Sequence, residues 1–400
     1  MGNFEELAFA YHTVPESEIQ SRISRFQSLL QSEGIEAALL LQLVDRFYFS
    51  GTVQDGVLII PAGGDPRLLC RRSVERAKRE TAIDVVPFGS LKEVPLALGG
   101  KADILGLELD VIPAALFTRF AALFPDAQWR DLGALVREVR AVKSSYEIER
   151  IRAAGVQVGM VMDTAREVLA EGMREIDLAC LLEKRARELG HQGILRMRGY
   201  NQELFYGHII TGSDSALMSH LDAPSGGMGV NPSVAQGAGF REIRRDEPVS
   251  VDFVGCVGGH LLDQTRLMVI GDLEDELVEG FENALSVQDQ VLSQARPGIK
   301  WSRLYEAGVE KARELGVEDR FMGPPGEQVR FVGHGVGLEV DEYPFLAPRQ
   351  EKVLEAGMVF AVEPKIFHPG KGITGIEDTF LLTLAGPERL TITEREIIKV

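Results

Sequence analysis

Cysteine is scarce in this chain, and its three copies do not suggest pairs. Cys70, Cys180 and Cys256 stand far apart among 400 residues, and an odd, scattered set fits neither a disulfide framework nor a cysteine-based zinc site. A reducing compartment is the simpler expectation. Positive charge is also short, with 43 lysines and arginines against 60 aspartates and glutamates and a net charge of -17. Affinity for nucleic acid rests on basic side chains that neutralise phosphates, so that class of partner is excluded. No apolar run reaches the roughly eighteen residues of a membrane span. The opening MGNFEELAFAYHTVPESE has acids where a secretory signal needs a basic and then an apolar region. Glu6 stands where myristoylation of Gly2 requires serine or threonine. These absences together predict a cytoplasmic protein that does not engage membranes.

What is present is an ordinary globular composition in a long chain. At 45% hydrophobic and 26% charged the chain can bury a core. Its length exceeds what one core usually organises, so two domains are expected. From residue 17 to about 132, helical stretches (SEIQSRISRFQSLLQSEG, SVERAKRE, PAALFTRFAALF) alternate with short apolar runs (EAALLLQL, GVLIIP, AIDVVPF, DILGLEL), the pattern of a small α/β domain. After GALVREVRAVKSS the pattern changes. Ile148, Ile151, Gly155, Val158, Met162, Ala165 and Leu169 recur at spacings of three and four, one face of a long helix that stops near Gly172. IDLACLLEKRARELG reads as a second helix. Beyond residue 200 strands dominate, interrupted by helices at 275–295 and 301–315, so the C-terminal part is expected to be α+β with helices on an antiparallel sheet. The expected domains are 1–142 and 143–400.

Five residues in the second part suggest chemistry. In VSVDFVGCVGGHLLDQTRLMVIG the two strands of a hairpin each carry an acid, Asp252 and Asp263, where both β propensity and desolvation disfavour one. AGMVFAVEPKIF places Glu363 in an apolar strand and GITGIEDTFLLT places Glu377 in another. In GHGVGLEVDEYP, His334 stands between two glycines, which is expected to be a tight turn that aims the imidazole. Any one of these acids alone could be salt-bridged or face solvent, and a single histidine could be a surface residue. All five together are harder to explain that way. Four carboxylates and an imidazole are ligands for Mn, Co, Fe or Zn, and their four negative charges match two divalent ions. Such a pair of ions can lower the pKa of water and clamp a tetrahedral intermediate, which is amide hydrolysis.

VDFVG, LDQTR, GHGVGLEV, MVFAVEP and GIEDTFLLT, in that order, resemble the signature strands of the pita-bread metallopeptidases, a family that includes aminopeptidase P, prolidase and creatinase. The resemblance covers residues 143–400, and the α/β region before it is similar to the N-terminal domain of the creatinase, prolidase and aminopeptidase P branch. It implies an α+β fold with a C-terminal pita-bread catalytic domain behind a smaller α/β domain. It implies that Asp252 holds one metal, His334 and Glu363 hold the other, and Asp263 and Glu377 bridge them. Glu363 is then also the acid/base group, and His220 in ALMSHLDAP contacts substrate.

Three positions depart from the proline-specific pattern. Asp341 stands where a second histidine is usual, Gly375 where an arginine is usual, and His260 where a tyrosine is common. Asp341, His260 and His220 are therefore the expected substrate-binding residues. The expected activity is hydrolysis of short peptides in the manner of an Xaa-Pro aminopeptidase or dipeptidase, by a homodimer holding two divalent ions per chain. The alternatives are a small-metabolite hydrolase or lyase on the same cage, or an inactive binding protein.

Overall fold

The computed structural model describes residues 2–400. The chain divides into two compact units. One comprises Tyr11–Arg140 with Arg198–Tyr200; the other comprises the residues up to Ala10, Ala141–Met197 and Asn201–Val400. The first helix, α1 (Gly2–Phe9), thus belongs to the larger unit, where it packs on the long helix described below.

The smaller unit is built on a mixed sheet of β1 (Ala37–Leu40), β2 (Gly56–Pro61), β3 (Arg67–Cys70), β4 (Asp84–Pro87), β5 (Ile104–Leu107) and β6 (Gln128–Asp131), in the order β4-β3-β2-β1-β5-β6. Its helices are α2 (Glu16–Ser32), α3 (Leu43–Ser50), α4 (Val74–Glu80), α5 (Val94–Leu98), α6 (Ala114–Leu123) and α7 (Gly133–Ala141). The central β1 is buried along its whole length, as expected of a strand covered on both faces. Helix α2 buries Ile19, Ile23, Phe26 and Leu30 at spacings of four, three and four. Two arginines converge on buried Asp45, with Arg140 at 2.6 Å and Arg198 at 2.7 Å. Strands β3 and β6 and helices α3, α5 and α7 are additions to what the sequence pattern predicts.

The larger unit opens with α8 (Ser145–Val168) and α9 (Glu175–Glu188). A capping box starts α8, Ser144 accepting from the Glu147 amide while the Glu147 carboxylate accepts from the Ser144 amide. The strands are β7 (Gly207–Thr211), β8 (Val249–Val257), β9 (His260–Val269), β10 (Gly333–Gly335), β11 (Glu342–Leu346), β12 (Val359–Val362), β13 (Lys365–His368), β14 (Gly372–Gly375), β15 (Asp378–Thr383), β16 (Gly386–Arg389) and β17 (Ile398–Lys399). Between β9 and β10 lie α10 (Asp275–Gln294) and α11 (Trp301–Glu314), close to the expected positions.

The single antiparallel sheet expected here is instead three sheets, ordered β17-β9-β8-β7, β11-β10-β12-β15-β16 and β13-β14, with β17 parallel to β9. Helix α8 buries Ile151, Ala154, Val158 and Met162 in a core shared with Val251, Phe253 and Leu262 of the four-stranded sheet. Ala284, Val287 and Val291 of α10 and Leu304 of α11 share another core with Phe360, Val362 and Phe380 of the five-stranded sheet.

A pair of contacts joins the two larger sheets. Thr379 Oγ1 accepts the Asp263 amide at 3.1 Å and donates to its carbonyl at 2.8 Å. The Glu377 amide donates to the Thr265 carbonyl at 3.3 Å. β9 is thereby tied to the start of β15, and both carry acids at the tie.

Candidate metal centre

Strand register sets the first half of the site. In the β8–β9 hairpin Asp252 pairs with Thr265 and Val254 with Asp263. Paired residues and residues two apart share a face, so Asp252, Asp263 and Thr265 all project from one side. The second half comes from the five-stranded sheet. His334 is the middle residue of β10, paired with Phe345 of β11 and Ala361 of β12. Glu363 follows β12 directly, and Glu377 lies between β14 and β15.

The glycines around His334 do not make the expected turn. They are strand residues required by close approach of the neighbouring backbones. A Cβ on Gly333 would lie 2.1 Å from the Ala361 carbonyl oxygen, and one on Gly335 would lie 2.3 Å from that of Tyr343. The bend comes afterwards, where Glu342 accepts the amides of Leu338 at 2.7 Å and Glu339 at 3.1 Å. Lys143 neutralises Glu342 at 2.6 Å. That bend returns the Val340 carbonyl to His334, whose Nδ1–H donates to it at 2.7 Å. With Nδ1 committed, Nε2 is the nitrogen left to face the carboxylates and, once deprotonated, to hold a metal. It faces Glu363 Oε1 at 3.5 Å and Glu377 Oε1 at 3.6 Å.

Asp263, His334 and Glu377 bring ligand atoms within 4.8 Å of one another. Asp263, His334, Glu363 and Glu377 are all buried, and Asp252 is the least buried of the five. Crowding carboxylates in this way is unfavourable without a cation. Burial first, then the charge of Glu377, raises Asp252 to about 7 and Glu363 to about 8. Burial, Glu377 and Asp252 raise Asp263 well above the usual carboxylate range. Glu377 alone moves down: burial would raise it, but hydrogen bonding to His334 and the charge of Lys365 prevail. Burial would lower His334, and its carboxylate neighbours reverse that. The set fits hard or borderline divalent ions: convergent carboxylates, one imidazole with its tautomer fixed, and electrostatic strain that cations would relieve. A thiolate ligand is not available from the same strand face, because burial pushes Cys256 up to about 12.

The expected substrate residues fare differently. Asp341 is half-buried beside this cluster; burial raises its pKa, His334 lowers it and Asp222 raises it. His220 lies on an exposed loop, 3.2 Å from Ser219 Oγ, and outside the cluster. Its neighbours Met218, Ser219, Leu221 and Asp222 line a cavity of about 710 Å³ together with Phe331 and Phe345. The expectation for His260 is corrected. It stands three residues before Asp263, an odd step that turns it to the other face of β9, where it meets Glu147 at 3.8 Å and the edge of Tyr146 on α8.

Sequence reasoning missed two neighbours. His208 pairs with Asp252 across β7 and β8, but its Nε2–H is committed to the Gly226 carbonyl at 2.9 Å. Lys365 is buried among the carboxylates, its Nζ 2.8 Å from Thr265 Oγ1 and 3.8 Å from Glu377 Oε2.

Comparison with known proteins places this geometry. Residues 149–384 match the family model of metallopeptidase family M24, and residues 22–142 match that of the creatinase/prolidase N-terminal domain. An Xaa-Pro dipeptidase of Pyrococcus furiosus is 28% identical over 382 residues, covering 95% of this chain and 100% of that protein. The crystal structure of the prolidase from Pyrococcus horikoshii superposes with a TM-score of 0.80 at 27% identity, covering 94% of this chain and 100% of that one. An Xaa-Pro dipeptidase structure from Bacillus anthracis gives 0.81 at 26% identity, covering 96% and 100%.

Proposed function

The chain belongs to metallopeptidase family M24, and from that premise we propose that it hydrolyses short peptides at Xaa-Pro bonds with two divalent ions held by Asp252, Asp263, His334, Glu363 and Glu377. The observation that carries the two-ion reading is the meeting of both halves of the site. Asp263 of the first half brings a ligand atom within 4.8 Å of those of His334 and Glu377 of the second, and His334 Nδ1 is pinned. Manganese or cobalt suits this donor set, and iron or zinc is also accepted by it. Bound ions would lower the pKa of water and stabilise charge on a peptide carbonyl.

The protein's own groups supply the rest. Glu363, beside His334 and held above the usual carboxylate range by burial and Glu377, would take the proton of the attacking water and return it to the leaving amine. The cavity beside Met218–Asp222 receives the peptide, with His220 at its margin as the contact to the substrate carbonyl. Asp341 faces the substrate as an anion that cannot donate to a peptide carbonyl, so it limits turnover at Xaa-Pro bonds. The names of the similar proteins, Xaa-Pro dipeptidase and prolidase, support the Xaa-Pro preference. A cytoplasmic homodimer is the setting we infer, from the scattered cysteines and from the prevalence of two-fold assemblies. Among the described residues no helix is long and apolar enough to cross a membrane.

Digestion of a peptide library by manganese-reconstituted protein tests the reading. Cleavage confined to Xaa-Pro bonds is expected. Broad cleavage would remove the proline preference, and no cleavage by metal-loaded protein would move the assignment to a small metabolite on the same cage.

A further inference from the structure

Lys365 is 1% exposed and is one of the largest fully buried side chains in the protein. A buried ammonium is costly unless an anion compensates it closely. Its nearest acid in the metal cluster, Glu377, is 3.8 Å away, while its short contact is to a hydroxyl, Thr265 Oγ1 at 2.8 Å. That hydroxyl donates in turn to Glu377 Oε2 at 2.8 Å. The other oxygen of Glu377, Oε1, faces His334. The two oxygens of this carboxylate are therefore divided between the imidazole and a lysine–threonine relay.

The fold makes room for this lysine. Lys365 pairs with Gly375 across the β13–β14 ribbon. A Cβ at Gly375 would lie 2.6 Å from Lys365 Cδ, so the lysine stem runs over the place where any other side chain at 375 would begin. The charge of Lys365 acts on several groups of the cage: it favours the ionised form of Asp252, Glu363 and Glu377.

We propose that Lys365 is a positioning residue of the metal centre, a built-in cation that holds Glu377 Oε2 through Thr265 and so weakens the metal position that Glu377 shares with Asp252. This rests on the two-ion reading above. Two consequences follow from Coulomb's law. With no metal bound, the lysine offsets one of four carboxylate charges and keeps the empty cage together. With metal bound, it repels the ion that competes for Glu377 Oε2.

Calorimetric titration of metal-free protein with manganese tests this, alongside thermal unfolding of metal-free and manganese-loaded samples. Lys365→Met should tighten the weaker of two binding steps by about tenfold or more and leave the tighter step within about threefold. It should also lower the unfolding temperature of the metal-free protein while sparing the loaded one. Lys365→Arg, which keeps the charge, should retain the wild-type weak step. If the methionine variant does not fold, Lys365→Gln, which can still donate to Thr265, takes its place with the same expected tightening. A weak step that stays unchanged in the neutral variant, or an equal loss of stability with and without metal, would mean that Lys365 only fills space. Absence of any binding step in the wild-type protein would instead overturn the two-ion reading and this one with it.

Discussion

At the scale of single residues, the cage was legible because a carboxylate in an apolar strand is expensive. Asp252, Asp263, Glu363 and Glu377 each stand among aliphatic residues, and only a shared cation explains four such placements economically. Lys365 was not legible, because nothing in VEPKIF says that its side chain crosses Gly375 and reaches Thr265. His260 was expected in the substrate shell because the resembled family commonly keeps a tyrosine there, whereas strand alternation turns it from the face of Asp263. His220→Ala should lower kcat/KM by about ten- to a hundredfold with metal content intact, because its chain neighbours line the cavity and it lies outside the cage. Lost metal would place it among the ligands, and unchanged kinetics would return it to the loop. Asp341→His replaces an anion near His334 by a group able to donate to the scissile amide. It should raise kcat/KM on Xaa-Pro dipeptides and tripeptides by up to about ten- to a hundredfold, capped by the absence of an arginine at Gly375. An equal or lower value would show that Asp341 does not limit turnover of proline peptides.

At the scale of elements, the long helices were readable from their period, and α8, α10 and α11 lie close to where the spacing puts them. The elements that escaped lack such a signature. β6 is an edge strand of sequence QWRD with mostly exposed residues, so it shows no apolar alternation. β3, RLLC, is set among charged residues and offers only three apolar residues in a row. Helix α3, LVDRFYFS, follows one residue after a run of leucines that continues the preceding strand pattern. In β10 the sequence announced the glycines but not their reason. Gly333→Ala would force a methyl against the Ala361 carbonyl oxygen, 2.1 Å away in the present backbone. Separation of β10 from β12 should cost about 1–3 kcal/mol in urea unfolding and weaken manganese binding together; full stability with full metal affinity would show that the two strands have slack.

The join between α9 and the four-stranded sheet carries its own pH dependence. His191 is buried, donates from Nε2 to the Val254 carbonyl at 3.0 Å and accepts the Gly193 amide at Nδ1 at 2.9 Å. The contact at Nδ1 needs the neutral ring, and burial lowers its pKa to about 4. The unfolded chain binds this proton more tightly than the folded one, so the stability is complete above about pH 6.5 and is lost as pH falls towards about 4. Relative to His191→Gln, the wild-type protein should lose about 2 kcal/mol between pH 7 and pH 4.5 in urea unfolding. Parallel pH profiles for the two proteins would contradict the assignment.

At the scale of the whole molecule, the net charge of -17 points away from nucleic acid and towards cations, and the family matches extend over most of the chain. The division of the catalytic unit into three sheets was not legible, because the tie between β9 and β15 depends on Thr379 and Thr265, residues with no pattern of their own. That tie is what brings Asp263 and Glu377 into one site, and on the two-ion reading proposed above Asp263 serves both metal positions. Equilibrium dialysis of wild-type protein and Asp263→Ala against saturating manganese measures this directly. The wild-type chain should retain about two ions, and the variant, which loses a carboxylate common to both positions, should retain almost none. Full occupancy in the variant, or none in the wild-type protein, would contradict the cage.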